Sequence, residues 1–294
     1  MKKLGQIRAV THAVPSVAMA EVVYTRFLDY RVVDRSAVPA SAARSWGAPA
    51  MVGRPSITLA PASGEPVFLR FIESPSATDY RALTTHGWNA TEILVQDVEM
   101  LAAQFAQSPF RIIGPPKGLQ RFPMIKAMQV IGPNGECLYF TEVGEGSGLT
   151  LPQAQSFVGS VFIVVAGGPD LAAMFDAYAG FTNEIDPPVK TRVQVLSWAN
   201  DLPPDSEHAH GLIKLGGGTL IELDGYPEKT TARQTPEGEL PPGMSIVTFD
   251  VDALGDGPWI GPKAPAFLPG DTRQTATFRG AAGELIELIA ADAS

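Results

Sequence analysis

The sequence predicts an α+β fold built from four similar strand-rich units, each with at most one short helix. Three observations carry this. Charged residues are only 18% of 294, while glycine (29) and proline (26) are abundant, which suits short strands and tight turns better than long helices. Strand endings recur. Residues 131–143 (IGPNGECLYFTEV) and 278–290 (FRGAAGELIELIA) pass from a small turn through Gly-Glu into an apolar strand, and 64–75 (GEPVFLRFIESP) and 217–227 (GGTLIELDGYP) give strands closed by proline. Strand openings recur as well, with a β-rich run, a polar or Gly/Pro break, and an apolar-periodic stretch of about three helical turns.

In chain order, residues 8–16 (RAVTHAVPS) lead into VAMAEVVYTRFLDY, 90–98 (ATEILVQDV) into EMLAAQFAQSPF, and 160–171 (SVFIVVAGGPDL) into AAMFDAYAGF. Residues 245–252 (SIVTFDVD) open a fourth unit whose helix is lost, because Ala253-Leu254-Gly255-Asp256-Gly257-Pro258 cannot hold a regular helix. The units begin near residues 5, 87, 157 and 243, and the first and third carry longer insertions. Residues 144–156 (GEGSGLTLPQAQS) read as a linker. The expected division is an N-terminal domain of two units at 1–145, a linker at 146–155 and a C-terminal domain of two units at 156–294. Residues 226–243 read as an exposed connection.

A net charge of −9 and a pI near 5.0 argue against nucleic acid or an anionic membrane as partner. The single cysteine, Cys137, excludes an intramolecular disulfide. The N-terminal residues lack the apolar run of a signal peptide, and no stretch has the ~20 apolar residues of a membrane span. The expectation is a cytoplasmic, soluble protein.

A strand ending in Val-Pro-Ser or Val-Gln-Asp, a helix ending in Phe-Leu-Asp-Tyr and a Gly-Pro-Asn-Gly-Glu turn before a closing strand together resemble the vicinal oxygen chelate superfamily, the glyoxalase/bleomycin-resistance/extradiol-dioxygenase group. The resemblance covers most of the chain. It implies four βαβββ modules forming two open mixed-sheet barrels, each around a cavity, and leaves open which modules pair. It also implies a metal held by a first-strand residue, often His, and a last-strand residue, usually Glu. The first-strand positions fall on Ala9, Ala90, Ser160 and about Ile246, and the last-strand positions on Arg70, Tyr139, Glu222 and Glu287. None of the first-strand residues is histidine. The expectation is therefore no catalytic transition metal and no cofactor, with a divalent cation at Glu222 and Glu287 as the alternative.

Strand alternation assigns the cavity faces. Arg70 shares a face with Phe68 and Ile72, Tyr139 with Cys137 and Thr141, Ala9 with Thr11, and Ala90 with Glu92 and Trp88. An Arg70–Glu92–Tyr139 set could hold an oxyanion and move a proton, or be a buried ion pair without chemistry. His86 stands at a strand entrance and is the histidine chosen for a functional role, beside the more common surface-loop reading. Thr11, Phe68, Trp88, Glu222 and Glu287 complete the expected substrate-binding set, with the two glutamates facing each other or surviving as remnants of a lost metal site. His12 points away from the cavity as a hydrogen-bonded core residue. His208 and His210 read as strand-entry or loop residues, with metal binding the lesser option. Cys137 reads as a small buried hydrophobe.

The preferred reading is an enzyme acting by acid–base chemistry, without a redox metal, on a small, fairly apolar carbonyl or phenolic substrate, as a lyase, isomerase or cyclase. One alternative is a non-catalytic protein that sequesters small apolar or aromatic molecules. Another is a metal-dependent dioxygenase or glyoxalase whose ligands sit in a different register. Monomer and homodimer are both compatible with four modules.

Overall fold

The computed structural model describes residues 3–291. The first module comprises β1 (Leu4–Val14), α1 (Val17–Phe27), β2 (Arg31–Ala37), an inserted α2 (Ala40–Ser45), β3 (Pro55–Ala60) and β4 (Phe68–Glu73). The second has β5 (Gly87–Val95), α3 (Val98–Phe105), β6 (Arg111–Gly118), β7 (Ile125–Ile131) and β8 (Cys137–Val143). The third has β9 (Val158–Gly168), α4 (Leu171–Ala177), β10 (Ile185–Arg192), an inserted α5 (Gln194–Ala199), β11 (Glu207–Lys214) and β12 (Leu220–Gly225). The fourth has β13 (Gly243–Val251), β14 (Ala264–Pro265), β15 (Gln274–Arg279) and β16 (Leu285–Ala290). This is the expected α+β arrangement of four strand-rich modules.

The helices start where the sequence places caps. Ser16, Asp97 and Asp170 each accept the backbone N–H three residues on, from Met19, Met100 and Ala173, which satisfies a helix donor that would otherwise lack a partner. Asp252 follows β13 in the same way, but the Gly-Asp-Gly-Pro run denies it a helix, and among the described residues none forms between β13 and β14.

Two curled sheets of eight strands result, ordered β14-β15-β16-β13-β1-β4-β3-β2 and β10-β11-β12-β9-β5-β8-β7-β6. The pairing is crosswise. Module one joins module four through antiparallel β1 and β13, and module two joins module three through antiparallel β5 and β9. Each sheet therefore takes one module from either side of the division expected at residues 146–155.

The outer faces of both sheets share a single core. Val10, Phe71 and Phe249 of the first sheet and Leu138, Phe140 and Val164 of the second pack with α1, α3 and α4. His12 belongs to this core. It is fully buried, stacks on Phe71 at 5.3 Å and hydrogen-bonds the Thr91 hydroxyl through Nε2 at 3.3 Å, and burial lowers its pKa to about 3. Trp88, expected in a cavity, also faces the core. Its ring lies 6.3 Å from Phe249 and its Nε1 donates to the Leu285 carbonyl at 2.7 Å. A register shift against β9 between Trp88 and Ala90 turns it away from the face that Ala90 occupies.

The 226–243 connection is pinned rather than loose. Arg233 donates to the carbonyls of Trp88 (2.6 Å) and Met244 (2.7 Å) and lies over the Tyr80 ring at 4.9 Å. It thereby ties the start of β5 to the start of β13. Both strands begin with a left-handed glycine, Gly87 at φ +101° and Gly243 at φ +76°.

Consecutive modules are latched by a second device. The two Gly-Glu turns bury their glutamates, and Glu136 and Glu284 each accept a backbone N–H of their own turn, from Asn134 and Ala282, at 2.9 Å. Each also accepts a tyrosine hydroxyl from the helix of the preceding module, Tyr24 to Glu136 at 2.9 Å and Tyr178 to Glu284 at 3.5 Å. Sheets join modules one with four and two with three, while these latches join one with two and three with four.

Tyr24→Phe leaves a buried carboxyl without one donor and should lower stability by roughly 1–3 kcal/mol in urea unfolding, with a smaller loss for Tyr178→Phe, whose bond is longer. Burial pushes both glutamates up to about 7, against the hydrogen bonds that pull them down. A folded-state pKa above the unfolded value means that the unfolded chain releases its proton first, so these groups lose stability as pH rises from about 4.5 to about 7. Glu136→Gln cannot ionise, so the stability difference should shift in its favour across that window. A pH-independent difference would contradict the assignment.

Candidate functional site

The cavity of the first sheet is filled by its own side chains. Arg70 on β4 pairs across the ladder with Thr11 on β1, and Glu287 on β16 with Thr248 on β13. Crosswise pairing brings the two ions together, with Arg70 Nη2 3.6 Å from Glu287 Oε2. Arg70 donates from Nε to Thr11 Oγ1 at 2.9 Å and from Nη1 to the Phe267 carbonyl at 2.5 Å. Glu287 accepts Trp46 Nε1 at 2.7 Å and Thr248 Oγ1 at 2.8 Å. Trp46, carried by the chain leaving α2, and Phe267 stand 5.0 and 5.3 Å from the guanidinium. Thr11, Arg70, Trp46 and Glu287 are all buried. Phe68 packs with Ala9, Leu268 and Ile289 on the same side.

The cavity of the second sheet keeps polar groups within reach of solvent. Glu92 on β5 faces Tyr139 on β8 across their parallel ladder, between Ala90 and Leu94 of the apolar lining. Thr141 Oγ1 donates to Glu92 Oε1 at 2.5 Å. Burial, with the nearby charge of Glu222 adding to it, raises Glu92 to about 8. The Tyr139 phenol is raised well above its usual value by burial and by Cys137, Tyr226, Asp224 and Glu222. From the opposite side come His210 on β11 and Glu222 and Asp224 on β12. The antiparallel ladder sets His210 beside Asp224, and His210 Nδ1 lies 3.5 Å from Glu222 Oε1. His210 Nε2 hydrogen-bonds the Thr191 hydroxyl at 3.1 Å. Asp224 is buried, and burial and its hydrogen bond and repulsion with Glu222 raise its pKa strongly. Tyr139, His210 and Glu222 are only half-buried. A groove of about 650 Å³ adjoins this cavity, lined by Ile113, Ile131 and Val195 of its apolar wall and by Arg81, Arg111 and Trp198 outside.

Several expectations are corrected by this geometry. Arg70 does not share a cavity with Glu92 and Tyr139, because β4 and β5 lie in different sheets. Glu222 and Glu287 are divided in the same way, so they do not face each other across one cavity, and Glu222 has His210 and Asp224 as its neighbours instead. The residues beside the last-strand positions are Thr11, Glu92, Val165 and Thr248, in place of Ala9, Ala90, Ser160 and Ile246. Three of these lie two residues further along, on the same face, whereas Val165 lies five residues beyond Ser160 on β9. His86 lies outside both barrels. It hydrogen-bonds Thr230 through Nε2 at 3.0 Å and lines a cleft of about 200 Å³ with Arg233, Met244 and Glu284. Cys137 is buried and its thiol is raised further by burial. His208, at the entrance of β11, hydrogen-bonds Ser197 at 2.9 Å.

The sequence reading missed Asp224 and undervalued His210. The signal was present, since Glu222 and Asp224 share a strand face and so do His208 and His210. Counting outward from the Gly216-Gly217-Gly218 turn puts His210 opposite Asp224.

The metal implied by the family resemblance does not fit the first-strand and last-strand positions. In the first sheet the Arg70 guanidinium already supplies the positive charge beside Glu287. In the second, Glu92, Tyr139, Val165 and Glu222 offer two carboxyls, a phenol and no imidazole, a poor set for zinc or iron.

Comparison with known proteins agrees with the architecture. No family model matches the chain, and no curated protein matches it. Among solved structures, glyoxalase I from Zea mays is similar over 99% of this chain and 92% of its own, with a TM-score of 0.65 at 14% identity. A Bacillus subtilis protein provisionally described as a dioxygenase is similar over 100% of this chain and 87% of its own, with a TM-score of 0.66 at 14% identity.

The buried pair of the first sheet makes a direct prediction. Arg70→Met strands the Glu287 charge and should cost about 3–5 kcal/mol, while Arg70→Met with Glu287→Leu should recover much of the loss in thermal or urea unfolding. Equal losses in the single and double variants would contradict the pairing. In its ladder pairing, its module order and its two cavities, the chain has the glyoxalase, or vicinal oxygen chelate, fold.

Proposed function

We propose that the second-sheet cavity is a reaction site for a small, fairly apolar substrate bearing a carbonyl or phenol, and that the chemistry is proton transfer. The observation that carries this reading is the pairing of Glu92 with Tyr139 in the cavity that keeps solvent-reachable polar groups. Glu92 is anchored by Thr141 on an aliphatic wall, where its raised pKa suits it to take or give a proton near neutrality. Tyr139 keeps its phenolic proton and so serves as a hydrogen-bond donor to a substrate oxygen. The groove of about 650 Å³, which shares that apolar wall although neither Glu92 nor Tyr139 lines it, has the volume of an ordinary small-molecule site. Reaction classes that fit are isomerisation, elimination and cyclisation next to a carbonyl. Arg70, buried in the other sheet, has no part in this reading.

A second reading, binding without turnover, is favoured by one observation. With its pKa at about 8, Glu92 is largely protonated at neutral pH and can act beside Tyr139 as a second donor. Proton exchange separates the two. Small ketones and phenols with exchangeable C–H bonds are incubated with the protein in D₂O and followed by NMR. Proton transfer predicts accelerated deuterium incorporation into at least one compound, lowered roughly 10²–10⁴-fold by Glu92→Gln and less by Tyr139→Phe. Compounds that bind without faster exchange would establish the sequestration reading instead. Exchange unaffected by Glu92→Gln would place the base elsewhere.

A further inference from the structure

We propose that His210, Glu222 and Asp224 form a divalent-cation site of the Zn²⁺/Co²⁺/Mn²⁺ class on the β11–β12 hairpin. It keeps Glu222, a last-strand position implied by the resemblance, and takes its other two ligands from elsewhere. The imidazole comes from an inner strand of the module rather than from its first strand, and two of the three ligands lie on a single strand. One ligand atom from each residue can be chosen so that all lie within 4.8 Å of one another. Ligands about 2.1 Å from one ion in tetrahedral geometry are roughly 3.4 Å apart, so binding draws the most separated pair together by up to about 1.4 Å through side-chain torsions.

A separate observation points to a ligand. Asp224 is 3% exposed, and its Oδ1 has no hydrogen-bond partner. A buried carboxyl oxygen without a partner is costly, and a cation between Asp224 and Glu222 would satisfy it while relieving the repulsion between the two groups. His210 Nδ1 likewise lies in the interior, where its near partner is Glu222 Oε1 at 3.5 Å. The Thr191 hydroxyl on Nε2 fixes the ring, the role that outer partners play for metal-binding histidines. One imidazole and two carboxylates favour a borderline transition ion over Ca²⁺ or Mg²⁺, which prefer oxygen alone. Half-burial of His210 and Glu222 leaves a path for the ion and room for water in its remaining positions.

The test reads bound metal rather than turnover, so it stands apart from the proton-transfer reading. Full-length protein is stripped with chelator, dialysed, and titrated with Zn²⁺ by calorimetry and with Co²⁺ by visible absorption. The proposal predicts one saturable ion per chain and a Co²⁺ band of mixed nitrogen–oxygen character. His210→Ala and Asp224→Asn, checked for folding by circular dichroism, should each weaken binding tenfold or more. Because Asp224 is buried and its variant is the one at risk of misfolding, half-exposed His210 is the deciding position. Absence of a saturable site, or binding by His210→Ala equal to wild type, would overturn the assignment.

Discussion

Everything distinctive in this molecule depends on which first strands meet. β1 lies antiparallel to β13 and β5 to β9, so each sheet is closed by modules that differ in what they carry inward. Sequential pairing would have set Arg70 among Glu92 and Tyr139. Crosswise pairing sets it against Glu287 and leaves Glu92 to meet Glu222, Asp224 and His210. The Tyr24–Glu136 and Tyr178–Glu284 latches act along the chain while the sheets act across it, so no module is held by one neighbour alone.

The two cavities have taken opposite physical courses. In the first, a guanidinium provides the internal cation, an indole and a carbonyl add hydrogen bonds, aromatic rings fill the space, and Arg70 Nη2 keeps only its ion pair with Glu287 at 3.6 Å. Such a buried pair adds little net stability over an apolar filling, yet it is costly to break. In the second, carboxyls crowd together without any arginine or lysine to balance them in the described hydrogen bonds and ion pairs, and Glu92, Asp224 and Tyr139 all hold their protons more tightly than in water. Groups held in that state on an aliphatic wall are suited to proton transfer or to a cation.

The modules were legible in the sequence because they rest on local signals. The Ser16, Asp97 and Asp170 caps, the Gly-Glu turns and the Gly-Asp-Gly-Pro break each act within a few residues. Module pairing was not legible, because it is decided by a core assembled from both sheets, in which His12 touches Thr91 and Trp88 touches Phe249. Parity placed Glu92, Tyr139 and Glu222 on inward faces, but could not say whose cavity each entered. It failed for Trp88, where a register shift along the β5–β9 ladder alters the alternation. His210 was undervalued because its partners, Glu222 and Asp224, lie across a hairpin turn whose register had not been counted.

The central claim is that the second-sheet cavity is the working site and that the first is sealed by its own ion pair. Crystals soaked with a library of small carbonyl and phenolic fragments test it directly through difference electron density. The account predicts fragment density against Tyr139 and Glu92, with the Arg70–Glu287 pair undisturbed between Trp46 and Phe267. Density lodged between Arg70 and Glu287, with the second cavity empty, would contradict it.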